Sequence, residues 1–236
     1  SVQHHLGVCA FSRFLVAARE SAVKLEADIP LERAALFGCA VLTGVGAAIN
    51  TAALRPGESA AVFGLGGVGL SAVMGARAAG ARTIVAVDRV AAKLELAKRL
   101  GATHAVDASK DDPVKAVKDL TGGGADCVLE AVGHEAVLAQ AYAATGRGGR
   151  TVTAGLPHPS REFRVPAVSL VAEERTVMGS YMGSCVPRRD IPRYIALYQA
   201  GLLPVDLLAS STLRLEGINE AFDVLAKGEA VRQLVL

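Results

Sequence analysis

The sequence predicts an α/β protein with a doubly wound parallel sheet. Short apolar runs alternate with segments of helical spacing along most of the 236 residues, and such alternation is typical of a parallel sheet covered by helices. The apolar runs lack the polar–apolar alternation of a strand with one solvated face, so both faces of these strands are expected to be buried. Glycine follows three of the helical segments, as expected where a left-handed residue ends a helix.

The elements expected in this sheet follow one another regularly. The expected strands, each short and rich in Val, Ile or Ala, are 60–63, 83–87, 127–131, 150–154 and 176–181. The expected helices are 68–79, 91–100, 113–120 and 134–143, with Gly80, Gly101 and Gly122 after the first three. Beyond the last strand the pattern predicts a helix over 192–200, a short segment, and a helix and terminal strand within 215–236.

The first 37 residues have a different pattern. Possible strands at 14–17 and 22–25 precede IPLERAALFG, which predicts a helix that begins at a proline. Such a piece is too short to bury a core of its own, so it is expected to be the end of another domain.

Composition excludes several classes of function. The net charge is +2 with acids and bases intermixed, so no nucleic-acid partner is expected. No apolar run reaches the roughly eighteen residues that a membrane helix needs, which predicts a soluble protein without a membrane partner. The four cysteines lie far apart without a C-x-x-C pair, which favours reduced thiols and a cytoplasmic location. The start at Ser1, without Met or a charged-then-apolar leader, predicts a trimmed or partial chain without a signal peptide.

The segment GLGGVG stands where an expected strand turns into an expected helix. In a dinucleotide-binding turn, Gly64 would permit the tight turn, Gly66 would let a pyrophosphate approach the backbone, and Gly69 would let helix and strand pack closely. The helix would begin at about Gly67, so its free N–H groups and positive dipole end would face the phosphates. The glycines therefore predict dinucleotide binding.

Asp88 stands nineteen residues beyond Gly69, at the end of the next expected strand. A carboxylate there can accept hydrogen bonds from both ribose hydroxyls of NAD and would repel the 2′-phosphate of NADP. The neighbouring Arg89 could receive that phosphate instead, but Asp88 favours NAD. The alternative is that Asp88 only caps the following helix.

At this point the sequence closely resembles the medium-chain, zinc-dependent alcohol dehydrogenases. The resemblance rests on FGCAVLTGVGAAINTAALRPGESAAVFGLGGVGLSAVMGARAAGARTIVAVD and continues through LAKRLGATHAVD, ADCVLEAVG and INEAFDVLAKGEAVRQLVL. It implies a Rossmann domain beside a mainly β, GroES-like catalytic domain, and oxidation of alcohols to aldehydes or ketones with NAD and zinc. The domain boundaries that follow are 1–37 for a remnant of the catalytic domain, 38–181 for the Rossmann domain, and 182–236 for the end of that domain and the return to the catalytic one.

The resemblance gives Cys39 a role as one of three protein ligands of the catalytic zinc, which would polarise the alcohol oxygen. The alternative is a small buried hydrophobic residue. The family's other zinc ligands and its proton relay lie upstream of the matched region, and His104, His134 and His158 are expected on loops. The chain by itself is therefore expected to bind NAD without turning over an alcohol.

The resemblance also implies further contacts of the cofactor. Thr43 and Val68 match residues near the nicotinamide, Lys93 matches a residue that reaches the adenosine ribose, and Arg232 matches an arginine that pairs with the pyrophosphate. Their alternatives are helix core for Val68, a solvated side chain for Lys93 and an exposed strand residue for Arg232. Expected strand ends at the cofactor cleft carry Val132, Gly155 and Leu156, whereas Cys185 is expected to be incidental.

In the family, the strand that matches 176–183 pairs with its copy, so a homodimer or tetramer through this edge is expected. The substrate implied is a small alcohol or aldehyde. Two other readings stay open: a zinc-free, NADPH-dependent reductase of quinones or enoyl compounds from the same superfamily, and a non-catalytic dinucleotide-binding module.

Overall fold

A six-stranded parallel sheet forms the centre of the protein, which is described by a computed structural model for residues 11–12, 14–25 and 28–236. The strands are β1 (Ser59–Phe63), β2 (Thr83–Asp88), β3 (His104–Asp107), β4 (Ala125–Glu130), β5 (Thr145–Thr153) and β6 (Thr176–Gly179). Their order across the sheet is β3-β2-β1-β4-β5-β6, and all neighbours are parallel. This order is that of the Rossmann fold, with its switch point between β1 and β4. The predicted fold class is confirmed.

Two strands were not predicted from the sequence. The first is β3, an edge strand with one fully buried side chain, Val106. It contains His104, which was expected on a loop. The second is β7 (Ala209–Leu213), which pairs with β8 (Arg232–Val235) in a separate two-stranded parallel sheet. Neither β3 nor β7 has the continuous apolar run of a strand buried on both faces, so the pattern that revealed the central strands is missing.

Helices cover the sheet. They are α1 (Leu31–Ala34), α2 (Ala40–Gly46), α3 (Gly67–Ala78), α4 (Ala91–Leu100), α5 (Pro113–Thr121), α6 (Glu135–Ala144), α7 (Ala167–Ala172), α8 (Pro187–Gln199) and α9 (Ile218–Ala226). Gly80, Gly101 and Gly122 have φ values of +84°, +119° and +72°, so the left-handed residues expected after three helices are confirmed. The terminal helix and strand are confirmed as α9 and β8.

The prediction for 192–200 was wrong at its start, because α8 begins at Pro187 and includes Pro192. Pro187 occupies the first helical position, where its missing N–H costs nothing. The Asp190 carboxylate accepts a hydrogen bond from the Val186 N–H at 2.8 Å, which satisfies a free donor at this end. The helix therefore starts at Pro187, five residues before the expected range.

The expected strands at 14–17 and 22–25 are wrong. Neither segment is extended in a sheet, and a single 3-10 turn, Arg19–Ser21, lies between them. Phe14 and Val16 expose 89% and 94% of their surface, so the apolar residues that suggested a strand have no core to face within the described residues. The helix expected after Pro30 is confirmed as α1, which continues as a 3-10 turn to Gly38.

The largest helix contact joins α2 to α3. Every residue of α2 is buried, and glycines make the close approach possible. A Cβ on Gly44 would run into the Val68 carbonyl, and one on Gly75 would lie 2.9 Å from the Val45 Cα. This contact holds α2 beside the helix that follows the glycine-rich turn, so Cys39 and Thr43 are brought to the same end of the sheet.

No single helix within the described ranges is long and apolar enough to cross a membrane. Leu31–Gly38 and Ala40–Thr51 meet the length and composition test only when taken together, as a pair bent by 53°.

Candidate functional site

The glycine-rich turn joins β1 to α3, and its three motif glycines have three different environments. Gly64 has φ +89°, and a Cβ there would clash with the Val132 side chain. A Cβ on Gly69 would collide with the Gly64 carbonyl, so only glycine lets α3 approach the strand. Gly66 is extended, with φ −75° and ψ −172°, and a Cβ on it would meet nothing within 4 Å. The turn therefore leaves an open space in front of Gly66.

Positive charge surrounds this space. Helix α3 begins at Gly67, and its first N–H groups lack partners within the helix, so its end attracts anions. The half-buried guanidinium of Arg232, from β8, lies over the same residue, with its Cζ 2.5 Å from the position of a Gly67 Cβ. A helix N-terminus and an arginine that face one open space are a suitable arrangement for phosphate.

Asp88 ends β2 and binds the same turn. Its Oδ2 accepts a hydrogen bond from the Leu65 N–H at 2.6 Å, and its Oδ1 accepts from Arg89 and Val90 at 2.7 and 3.0 Å. The following helix, α4, has Val90 as its N-cap residue and no capping side chain. The alternative that Asp88 only caps this helix is therefore wrong, since the carboxylate ties β2 to the turn after β1.

A groove of about 830 Å³ opens beside Asp88. It lies at the carboxyl ends of β1 and β2, next to the switch point of the sheet, where ligands of open α/β sheets bind. Its lining includes Gly64, Asp88, Arg89 and Val132 together with Ser109, His134 and Gln140. The last three were not identified from the sequence as site residues, because isolated polar residues after a strand or on a helix carry no spacing signal. His134 also accepts a hydrogen bond from Ala136 at the start of α6.

A buried carboxylate joins the loops after β4 and β5. Glu130 is 1% exposed. Its Oε1 accepts hydrogen bonds from the N–H groups of Val132 and Gly133, both at 2.7 Å, and the Thr153 hydroxyl donates to its Oε2 at 2.6 Å. Glu130 was not predicted from the sequence as a site residue, although an acid at the end of the apolar run CVLE is unusual enough to have been a signal.

The remaining residues predicted for the cofactor lie on loops and helix starts that follow the carboxyl ends of the strands. Val132 and Leu156 are 52% and 81% exposed, and Gly155 packs against Gly133 so closely that a Cβ would clash with its backbone. Val68 is half-buried at the start of α3. Lys93 is outside the groove lining, with its Nζ 3.5 Å from the position of a Gly228 Cβ.

Cys39 and Thr43 lie one helical turn apart. Cys39 is the exposed N-cap residue of α2, and its carbonyl accepts a hydrogen bond from the Thr43 N–H at 2.8 Å. Within the described ranges, no three His, Cys, Asp or Glu side chains are placed to hold a metal ion. The residues present therefore do not fit a zinc site, which needs at least three protein ligands. His4, His5 and Cys9 lie outside the described residues.

The other cysteines have different surroundings. Burial raises the pKa of the Cys127 thiol to about 12, so it is a poor nucleophile. Burial also raises the pKa of Cys185, which contacts the Asn50 amide at 3.3 Å and the Tyr194 hydroxyl at 3.5 Å. These contacts hold the turn after β6 against the helical turn Ala47–Thr51, which continues α2, and against α8. The description of Cys185 as incidental is thus incomplete, because it has a packing role.

Known proteins share this architecture. The family model of the zinc-binding dehydrogenases matches residues 67–200. A putative alcohol dehydrogenase D of Mycobacterium tuberculosis is 40% identical over 230 residues, which are 96% of this chain and 62% of that protein. Geraniol dehydrogenase of Castellaniella defragrans is 40% identical over 231 residues, or 98% and 62% of the two chains. The chain thus spans about 62% of the length of these relatives.

Solved structures agree with the sequence relatives. An alcohol dehydrogenase zinc-binding domain protein from Burkholderia ambifaria superimposes with a TM-score of 0.90 at 41% identity, over 93% of this chain and 60% of that one. Benzyl alcohol dehydrogenase from Acinetobacter calcoaceticus gives a TM-score of 0.87 at 37% identity, over 89% and 58% of the two chains. Sequence, strand order and structural likeness therefore agree that the chain belongs to the zinc-binding dehydrogenase family, the medium-chain alcohol dehydrogenases that its sequence resembles.

Proposed function

We propose that this chain is the NAD-binding part of an alcohol dehydrogenase. The observation that carries the proposal is the open space in front of Gly66, bounded by the N-terminus of α3 and the guanidinium of Arg232. Two linked phosphates fit both the charge and the close backbone approach that this space offers. An ordinary strand-to-helix turn would need neither the open space nor the arginine.

The rest of the cofactor would then lie along the strand ends. Asp88 would accept hydrogen bonds from the ribose hydroxyls beside the groove, with Lys93 farther along the adenosine side. The nicotinamide half would lie over the other half of the sheet, near Val132, Gly155 and Leu156, with Val68 and Thr43 facing it from α3 and α2. The cofactor, when bound, supplies the acceptor for the hydride that an alcohol loses on oxidation to an aldehyde or ketone.

We propose a zinc site only for a longer protein that includes this chain. Cys39 would supply one thiolate ligand there, but the described residues lack the ligands that would complete the site. The 236-residue chain is expected to bind NAD without oxidising an alcohol.

One observation favours a second candidate, an NADPH-dependent reductase of the same superfamily. Arg89 lines the groove next to Asp88 and is exposed, so it could pair with a 2′-phosphate. We favour NAD because Asp88 is held at the carboxyl end of β2 by three backbone N–H groups. A fixed carboxylate at that position would repel the extra phosphate.

Calorimetric titration of the chain with NAD and with NADP tests this proposal. We expect saturable binding of one NAD per chain and weaker binding of NADP. Tighter binding of NADP would favour the reductase. No binding of either cofactor, by a chain whose circular dichroism shows a folded α/β protein, would contradict both candidates.

We further propose that β6 pairs with its copy in a second chain. It lies at the edge of the six-stranded sheet, and Val177 and Tyr181 expose 38% and 62% of their surface. An apolar strand edge that stays uncovered would invite uncontrolled pairing. A dimer formed across 176–183, or a tetramer built from such dimers, would cover it.

Size-exclusion chromatography with light scattering is expected to show a dimer or tetramer at micromolar concentration. The variant Val177→Lys should be monomeric, because an exposed lysine on an edge strand disfavours pairing. The control Val168→Lys, on the exposed face of α7, should assemble like the parent. A monomeric parent at micromolar concentration would contradict the proposal.

A further inference from the structure

Glu130 is a buried carboxylate that accepts three hydrogen bonds at the carboxyl end of β4. Both of its oxygens act as acceptors, and their three partners are all donors, which is the pattern of a carboxylate anion. Within the described residues it forms no salt bridge, although it is 1% exposed. Burial of a charge without a counter-ion is costly, so an uncharged amide side chain, whose oxygen also accepts hydrogen bonds, would be less costly at this position.

Two glycines pack against this carboxylate. Gly133 and Gly155 pack against each other above it, and a Cβ on Gly155 would lie 3.0 Å from the Glu130 Oε2. At these two positions the loops thus place backbone without a side chain next to the carboxylate. In a protein environment of reduced polarity, a charge at such a depth still acts on groups bound at the surface at the strand ends.

Glu130 lies in the half of the sheet where the nicotinamide nucleoside of the cofactor would bind. It ends β4, on the opposite side of the switch point from Asp88 on β2. Because the two halves of a Rossmann sheet each take one mononucleotide, the adenosine half on β2 leaves the ends of β4 and β5 to the nicotinamide nucleoside. The nicotinamide ring carries a positive charge in NAD⁺ and none in NADH.

We infer that Glu130 discriminates between the two redox forms of the cofactor and favours the oxidised one. The inference rests on the proposed NAD-binding function. The carboxylate attracts the cationic ring of NAD⁺ across the backbone of Gly133 and Gly155, whereas the neutral ring of NADH gains nothing from it. For charges separated by about 8 Å at an effective dielectric constant of about 20, the expected preference is roughly thirtyfold.

The variant Glu130→Gln tests this inference in calorimetric titrations with NAD⁺ and NADH. The glutamine carbonyl can still accept from the Val132 and Gly133 N–H groups, so the loops keep their support while the charge is lost. We expect the affinity for NAD⁺, relative to that for NADH, to fall roughly thirtyfold. A role confined to holding the loops would weaken both forms equally, so an unchanged ratio would overturn the inference.

The variant Thr153→Val is the matched control, because it removes one hydrogen bond to the carboxylate and keeps its charge. Its NAD⁺ to NADH ratio should equal that of the parent, even where both affinities fall. A ratio that shifts in Thr153→Val as much as in Glu130→Gln would assign the effect to loop geometry and overturn the inference.

A second measurement uses the parent chain and needs no substitution. The benzamide analogue of NAD has a planar ring of the same shape without the ring charge, and the chain should bind it roughly thirtyfold more weakly than NAD⁺. Equal affinities would overturn the inference even if Glu130→Gln fails to fold. If the parent chain binds neither NAD⁺ nor NADH, the proposed function fails and the inference fails with it. If it binds both and the ratio does not depend on Glu130, the inference alone fails.

Discussion

Replacing Gly66 with valine is expected to abolish NAD binding and to leave the fold intact. The backbone of Gly66 is in the extended region, which any residue adopts, and a Cβ there meets nothing within 4 Å. The valine side chain would therefore extend from an unhindered Cβ into the space in front of the turn. Since that space is where the pyrophosphate is proposed to lie, we expect the affinity for NAD to fall on the order of 100-fold or more.

Two further glycine variants control this result. Gly217→Ala adds a methyl group in ordinary contact with Leu213, at 3.8 Å, far from the turn in sequence, and should bind NAD like the parent. Gly69→Ala would drive its Cβ into the Gly64 carbonyl, so its melting temperature should fall. Calorimetry and thermal melts followed by circular dichroism separate the two effects. If Gly66→Val is folded and binds NAD as the parent does, the phosphate site is elsewhere.

Replacing Asp88 with asparagine is the change with the second largest expected effect. It removes the charge proposed to exclude a 2′-phosphate, and it removes at least one acceptor from the set that binds Leu65, Arg89 and Val90. Hydrogen bonds to charged groups contribute about 1.5–3 kcal/mol, so the affinity for NAD should fall roughly tenfold to 100-fold. Binding of NADP should fall less, or rise, because the repulsion is gone.

The ratio of NAD to NADP affinity is the decisive quantity, since damage to the turn weakens both cofactors alike. Asp107→Asn provides a matched control, because Asp107 stands beside Asp88 in the register of β2 and β3 and the change in net charge is the same. Hydrogen bonds from Lys110 and Ser109 hold the pKa of Asp107 at about 2, so this carboxylate is engaged with its own loop. Should Asp88→Asn keep the parental ratio, the ribose contact has been misplaced.

Much of the fold could be predicted because the central strands are buried on both faces. The runs AAVF in β1 and TIVAV in β2 can be recognised as strands from their composition, and the glycines predicted at helix ends have left-handed backbone conformations. The predicted boundaries of β5 and α8 were less accurate. The start of β5 is obscured by an irregularity in its pairing with β4, and α8 contains two prolines, of which the first and not the second starts the helix. Residues 14–17 and 22–25 were wrongly predicted as strands, because apolar composition indicates a strand only where a sheet is available to pair with it.

The candidate site was predictable where residues act through their spacing in the sequence. The glycines and Asp88 belong to one βαβ unit, so their separation carries the signal. Arg232 is remote in sequence from Gly67, and its proposed contact with the pyrophosphate was predicted only from the resemblance to a family. Glu130 was missed because its partners are backbone N–H groups and a threonine on another strand, which leave no spacing pattern. The double contact of Asp88 with the turn after β1 was missed for the same reason.

A crystal structure of the chain grown with NAD tests the central claim most directly. We expect the pyrophosphate in front of Gly66, hydrogen-bonded to the first N–H groups of α3 and to the guanidinium of Arg232, with the adenosine ribose on the Asp88 carboxylate. A cofactor bound at another surface, or a space at Gly66 that stays closed to the phosphates while NAD occupies the crystal, would contradict the account.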